Sequence, residues 1–186
     1  MIVTLVTRAF QLIFAAIVLG LSVSMTQWQA VGKAPATTGY AAFCGGWGLV
    51  AAAIGLIASF IEAIPALVII AIDALSALIF LAGGIALTVA MKGLSCSSSL
   101  QNYPSLFDNK IVNGGCIEQD GERLCGTGGR PGDDEDDVQT RANSLKGRCQ
   151  RGQADYVFLF LGMVMFLMAI GVTFFAKKRG SRKMVV

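Results

Sequence analysis

Long apolar stretches alternate with short polar connections along most of this chain. Because the hydrocarbon core of a bilayer is about 30 Å thick, a crossing helix needs about 20 mostly apolar residues. Four stretches are long enough, and they cover residues 10–29, 40–61, 64–91 and 156–176. The pattern therefore predicts an all-α membrane protein, built as a bundle of four transmembrane helices.

The connections between the predicted spans differ greatly in length. Residues 30–39 and 62–63 form two short connections, and Pro65 lies near the start of the third span. A missing N–H costs little at that position, so spans two and three are expected to form a tight antiparallel hairpin. Residues 92–155 form a third connection of 64 residues, which we expect to be a polar and irregular loop.

Composition agrees with a membrane protein and disfavours an enzyme. Hydrophobic residues make up 54% of the 186 residues and charged residues 15%, against about 25% charged in soluble domains. The chain has no His, which excludes Ser-His and Cys-His catalytic pairs and His-bound metals. A P-loop, a dinucleotide fingerprint and paired carboxylates at a plausible catalytic site are also missing. We expect no catalytic activity, no cofactor and no metal.

Basic residues after the fourth span predict the orientation. The tail, residues 177–186, has five cations and no acidic residue: Lys177, Lys178, Arg179, Arg182 and Lys183. Positive residues stay on the cytosolic side, so both termini are expected in the cytosol and loop 92–155 outside. Each cation near the inner leaflet adds about 1 kcal/mol of attraction to anionic lipid. The tail is therefore a candidate lipid-headgroup site, although anchoring of the topology explains the same residues. Nucleic acid is not expected as a partner.

The N-terminus allows a second interpretation. Residues 10–21 resemble a signal-peptide core, with Ser22-Val23-Ser24 as a small-x-small cleavage site that would leave three spans. However, Arg8 follows an apolar start, residues 2–6, and apolar character continues beyond the supposed site. We favour an uncleaved first span.

Four of the five cysteines lie in the large loop: Cys96, Cys116, Cys125 and Cys149. An even number in an oxidising compartment indicates two disulfides, for which three connectivities are open. The simplest arrangement has an outer Cys96–Cys149 bridge and an inner Cys116–Cys125 bridge, since Cys96 and Cys149 flank the loop. A zinc site is disfavoured because there is no His and no closely spaced Cys pair. Cys44 is interpreted as a small buried residue of span two.

An acidic run, Asp133-Asp134-Glu135-Asp136-Asp137, also lies in the loop. It lacks the ligand spacing and turn glycine of an EF-hand, so loose Ca²⁺ binding is the weaker interpretation. We expect a solvated acidic tract.

Asp73 lies inside the third span, where a carboxylate costs about 2.5–3.5 kcal/mol on insertion scales. The nearest candidate partner is Arg8, at the cytosolic end of the first span. A protonated Asp73 bonded to Ser76 or to a backbone carbonyl is the alternative. A role in helix pairing is favoured over a lipid or regulatory role and over a transport relay, since one acid does not make a conduction path.

Small residues recur at every fourth position in three spans, a spacing that lets helices in lipid approach closely. These stripes are Ala16, Gly20 and Ser24, then Cys44, Gly48 and Ala52, and finally Ala82, Ala86 and Ala90. Packing within the bundle is the favoured interpretation, and contacts within an oligomer are the alternative. The fourth span is bulky nearly all round and is expected to be lipid-facing or peripheral.

Residues near the ends of the large loop resemble the fungal non-classical export protein family, whose members are tetraspan MARVEL-domain proteins of the plasma membrane. The similar segments are residues 82–87, 94–96 and 148–154, together with Asp73, Leu75, Ala77 and Phe80 in the third span. The chain departs from the family by extra loop, about residues 115–141, which contains Cys116, Cys125 and the acidic run.

The resemblance implies a MARVEL-like tetraspan domain over residues 1–176 and a non-enzymatic organiser of plasma-membrane domains. It further implies association with eisosomes and their proteins, a response to sphingolipid, and a link to unconventional secretion. A tetraspanin-like adaptor for membrane-protein trafficking is the runner-up, although the Cys-Cys-Gly motif of such loops is missing. A small transporter or channel using Asp73 is the third hypothesis.

Overall fold

A computed structural model describes residues 2–60, 64–96, 103–119, 122–126 and 135–182. Its elements are α1 (Ile2–Gln27), α2 (Ala36–Ala58), α3 (Ala66–Ala90), α4 (Tyr103–Asp108), β1 (Cys116–Gln119), β2 (Glu122–Cys125) and α5 (Glu135–Arg182). Four helices, α1, α2, α3 and α5, are long and apolar enough to cross a membrane. The predicted four-span, mainly α-helical architecture is confirmed to this extent.

The four spanning helices form a closed ring. α1 packs on α2, α2 on α3, α3 on α5, and α5 returns to α1. The ring has a terminal end, where α1 begins at Ile2 and α5 ends at Arg182, and a loop end, which carries α4 and the β1–β2 hairpin. The apolar side chains that face outward, such as Ile13, Leu78 and Met168, form a surface suited to lipid.

Glycines in α2 allow α1 to approach closely. A Cβ atom added at Gly45 would lie 2.5 Å from the backbone nitrogen of Leu19, and one added at Gly48 would lie 3.0 Å from the Cβ of Ala15. Lipid tails are as apolar as the helices, so such contacts rather than water exclusion hold membrane helices together. The α2 stripe of small residues is thus buried within the bundle.

Phe80 of α3 fills the centre of the ring. Its side chain is fully buried against Gly162 and Phe166 of α5, with its ring centroid 5.2 Å from that of Phe166. Leu159 is fully buried as well. The expectation of a peripheral fourth span is therefore wrong, because one face of α5 packs into the core while Met168, Phe174 and Phe175 face outward.

A small second core lies at the loop end. Leu106 of α4 and the following Val112 are buried against the bundle core together with Leu145 of α5. The hairpin pairs β1 with β2 antiparallel, with Cys116 opposite Cys125. It docks on the first connection through the carbonyl of Gly114, which accepts bonds from the amides of Ala30 and Val31.

The first helix is longer than the sequence indicated, because α1 begins at Ile2 rather than near residue 10. The sequence predicts Arg8 at the cytosolic end of the first span. In the structure the Arg8 side chain is buried within the bundle, so α1 continues on both sides of Arg8. The ends of α2 and α3 differ from the predicted spans by a few residues, which is ordinary for helix termini.

The largest difference lies in the fourth helix, which covers Glu135–Arg182 instead of residues 156–176. Its 48 residues extend about 72 Å, far more than a bilayer needs. The segment before residue 156 is rich in good helix formers, and Ala142, Leu145 and Cys149 recur on one buried face. Loop 92–155 is therefore not irregular throughout. Residues 135–137 of the acidic run form the first turn of α5, where acids favour a helix, while Asp133 and Asp134 lie outside the described residues.

Two neighbouring glycines provide a test of the α1–α2 contact. Gly45→Ala is expected to lower the free energy of unfolding by about 1–3 kcal/mol, because the new methyl group meets the backbone of α1. Gly46→Ala is the matched control, since a Cβ there has nothing within 4 Å, and it should leave stability unchanged or slightly raised. Thermal unfolding in nanodiscs measures both. Equal effects of the two variants would mean that α1 and α2 do not pack as described.

Candidate functional site

A buried ion pair joins opposite helices of the ring. Arg8 of α1 and Asp73 of α3 are 1% and 0% exposed. The Nη1 atom of Arg8 donates to Oδ1 of Asp73 at 2.6 Å, and Nη2 donates to Oδ2 at 2.8 Å. This bidentate geometry is the strongest form of an arginine–carboxylate contact. Asp73 therefore pairs with Arg8 in the structure and, among the described residues, is not bonded to Ser76 or to a backbone carbonyl as the alternative interpretation proposed.

Two further residues of the bundle hold the guanidinium of Arg8 in place. Nη1 also donates to Oε1 of Gln11 at 2.9 Å, and Nε2 of Gln11 in turn donates to the carbonyl of Met165 at 3.4 Å. Gly55 of α2 gives the guanidinium its space, because a Cβ added there would lie 2.4 Å from Cζ of Arg8. The pair thus contacts all four spanning helices directly or through Gln11.

The ion pair is suited to structure rather than to transport. Both oxygens of Asp73 accept bonds from Arg8, so the carboxylate is not free to relay a cation or a proton. Within an apolar surrounding, each charge is stabilised mainly by the other, and removal of one leaves an uncompensated buried charge. The arrangement therefore fixes the position of α1 relative to α3.

A second buried acid, Asp155, lies towards the loop end. Its Oδ2 atom accepts a bond from the hydroxyl of Ser22 at 2.7 Å, and the residue is fully buried. Its Oδ1 atom has no hydrogen-bond partner among the described residues. Asp155 was expected within the large loop 92–155, but in the structure Asp155 connects α5 to α1 inside the bundle.

Two disulfides lie in the loop-end unit, a name that we give to the described residues from Cys96 to Cys149. Cys96 is bonded to Cys149 and Cys116 to Cys125, with Cα–Cα distances of 5.5 and 3.9 Å. This is the pairing that the loop positions favoured. Cys44 is free and fully buried.

Two arginines of α5 also tie this unit to the first connection. The guanidinium carbons of Arg148 and Arg151 lie 5.4 and 4.9 Å from the ring centroid of Trp28, within the range of cation–π contact. Nη1 of Arg148 also donates to the carbonyl of Val112 at 3.3 Å. Trp28 follows α1 directly, so these contacts hold the end of α1 against α5.

The candidate lipid-headgroup residues fall at the end of α5. Lys177, Lys178, Arg179 and Arg182 belong to the helix, so the expected tail is helical as far as Arg182. Lys178 is exposed. Lys183 lies outside the described residues.

The three small-residue stripes differ in burial. Cys44, Gly48 and Ala52 are buried within the ring. On α1, by contrast, Ala16 and Gly20 face outward, and a Cβ added at Gly20 has nothing within 4 Å. The α3 stripe is intermediate, with Ala82 exposed. Ala16, Gly20 and Ser24 thus form a narrow face on α1, with Ala16 and Gly20 exposed and Ser24 half-buried, and we call it the α1 small-residue face.

The fold agrees with a comparison against protein-family models. The MARVEL model, described as a membrane-associating domain, matches residues 2–172. The chain belongs to the MARVEL family. No curated protein and no solved structure matches it. With four apolar helices and a domain of a membrane-associating, non-enzymatic kind, the MARVEL chain is a multi-pass membrane protein.

Sequence reasoning found Arg8 and Asp73 but missed Gln11, Ser22 and Gly55. A signal for Gln11 was present, since Arg8 and Gln11 are three residues apart and therefore share a helix face. Gly55 offered no signal, because only the course of Arg8 across α2 gives that glycine a role.

The ion pair can be tested by a double-mutant cycle. Asp73→Asn is expected to destabilise the MARVEL chain by about 3–5 kcal/mol, because Arg8 stays buried without its counter-charge. Arg8→Gln should cost a similar amount. The double variant, which leaves no charge at the site, should lose clearly less than the sum of the two. Unfolding in mixed micelles measures the cycle, and strictly additive losses would contradict a direct pairing.

The two bridges give a second test in the same protein. Peptide mapping without reduction should recover the Cys96–Cys149 and Cys116–Cys125 pairs and leave Cys44 unbonded. The chain-entropy model assigns about 4 kcal/mol to the bridge with separation 53 and about 3 kcal/mol to the one with separation 9. Replacement of the outer pair by Ser should therefore lower stability more than replacement of the inner pair. Recovery of crossed pairs would overturn the assignment.

Proposed function

We propose that this MARVEL protein is a non-enzymatic organiser of plasma-membrane domains. The resemblance to the fungal non-classical export family supports cortical patches of the eisosome type, a sphingolipid response and a link to unconventional secretion as its setting. In this proposal both termini are cytosolic and the loop-end unit, with its two bridges, faces the outside. Such a protein would act by associating laterally with other proteins in the bilayer and not by catalysing a reaction.

The α1 small-residue face is the observation that carries this proposal. Small residues that are not needed for the ring leave room for a helix of another chain to approach closely. The partner we propose is a second copy of this protein or another tetraspan protein of the same patch. Because the Arg8–Asp73 pair fixes α1 within the ring, the face is presented in a constant orientation.

The basic end of α5 supplies the lipid side of the proposal. Five cations at the inner leaflet contribute about 1 kcal/mol each, enough to gather anionic lipid beneath a cluster of bundles. Lateral contacts through α1 and lipid contacts through the tail would then reinforce each other, since each bundle brought into a patch adds cations to it.

Photobleaching of a fluorescently tagged chain in living fungal cells tests the proposal. We expect stable cortical patches that disperse when sphingolipid synthesis is blocked. Gly20→Leu places a bulky side chain on the α1 small-residue face and should make recovery at least several-fold faster. Gly46→Leu is the matched control, because Gly46 also has open space beside it but lies outside that face.

The outcomes are distinct. A uniform, rapidly recovering distribution of the parent protein would refute the organiser role and favour an adaptor or trafficking protein. Patches that persist equally in both leucine variants would leave an organiser that does not use α1.

A further inference from the structure

A cavity of about 160 Å³ opens at the terminal end of the bundle. All four spanning helices line it, α1 with Thr4 and Arg8, α2 with Gly55, α3 with Ala66 and Ile69, and α5 with Thr173 and Ala176. A water molecule needs only about 10–15 Å³ of such space, so the cavity has room for a larger polar group.

The charged residue of this cavity has an unused hydrogen-bond donor. Arginine carries five N–H donors, and three of the four on its Nη atoms reach Asp73 and Gln11. The Nε atom of Arg8 is buried and has no hydrogen-bond partner among the described residues. A buried charged group with an unused donor calls for an acceptor that is not part of the chain.

Two hydroxyl groups of the cavity are unused as well. Hydroxyls in the spanning helices commonly donate to the carbonyl four residues earlier, as Thr7, Ser76 and Thr88 do here. Within the described residues, Thr173 of α5 makes no such bond, and the hydroxyl of Thr4 of α1 makes no hydrogen bond to any described residue. The cavity thus brings together one guanidinium donor and two hydroxyl donors from two helices.

The polar groups around the cavity favour a ligand rich in hydrogen-bond acceptors. The cavity is lined by Arg8, Thr4 and Thr173, which supply N–H and O–H donors, and no carboxylate is among its described lining residues. Guanidinium and hydroxyl groups are among the donors that bind phosphate oxygens in proteins. In the proposed orientation this cavity lies at the level of the inner leaflet, where phosphate groups of lipids are abundant.

We propose that the terminal-end cavity binds the phosphate group of an inner-leaflet phospholipid, held by Arg8, Thr4 and Thr173. This inference deepens the proposed function and rests on its orientation. It gives the organiser a specific lipid site within the bundle, separate from the diffuse attraction of the basic tail. Because Arg8 also holds Asp73, an occupied cavity would strengthen the contact between α1 and α3.

Native mass spectrometry of the full chain, released from nanodiscs, tests this site. The nanodiscs contain phosphatidylcholine and phosphatidic acid with matched acyl chains, and the retained phosphatidic acid is counted. Thr4→Val with Thr173→Val removes two donors without a change of shape and should weaken retention about ten-fold or more. Thr173→Leu, which fills the cavity, should do the same. Thr88→Val, near the loop end, is the control and should retain lipid as the parent does.

Each alternative result would overturn the proposal in a recognisable way. If retention falls only when the five tail cations are exchanged for Gln, the tail holds the lipid and the cavity does not. If millimolar inorganic phosphate displaces the lipid from the parent protein, the site takes free phosphate. If Thr88→Val loses lipid as fully as the cavity variants, the effect is general destabilisation. None of these results alters the photobleaching test, so the organiser role stands or falls separately.

Discussion

The bundle depends on the contact between Arg8 and Asp73. In water such a pair would add little, but within an apolar ring neither charge has another adequate partner. The two helices that carry it are not neighbours in the ring, so the pair connects α1 to α3 across the interior. Gly55 leaves the space that the guanidinium needs, and Gln11 extends the network to α5. The rest of the terminal end is arranged around this contact.

In the middle of the ring, the helices are held together by packing at glycines and aromatic side chains. Gly45 and Gly48 let α1 and α2 approach, and Phe80 occupies the space that Gly162 leaves in α5. Towards the loop end, Ser22 donates a hydrogen bond to Asp155. The disulfide between Cys96 and Cys149 then links the segment after α3 to α5. The bundle is therefore held at three levels, and its outer surface is left for lipid and for other chains.

The contacts that hold the MARVEL protein together thus lie in its interior, and its outer surface is free to contact lipid and other chains. The α1 small-residue face and the outward-facing side chains of α5 share one property, since neither is needed to close the ring. A protein that acts by lateral association requires such surfaces to be held still. The terminal-end cavity is different, because it lies beside the ion pair itself and would couple a bound headgroup to the packing of the helices.

The sequence alone determined the number of spans and the membrane class, because hydrophobic length is a property of single segments. The sequence named Arg8 as the nearest candidate partner of Asp73 but left a protonated Asp73 open, and only the tertiary arrangement brings Arg8 to Asp73. It did not determine where α1 begins or how far α5 extends. Hydropathy placed the start of the first span near residue 10, yet Arg8 is buried by its partner helices and the span continues through it. It also assigned Asp155 to the loop, since only the packing of α5 on α1 brings it to Ser22. Which glycines matter was likewise decided by tertiary structure, because Gly45 and Gly46 are equivalent in sequence and differ only in what lies opposite them.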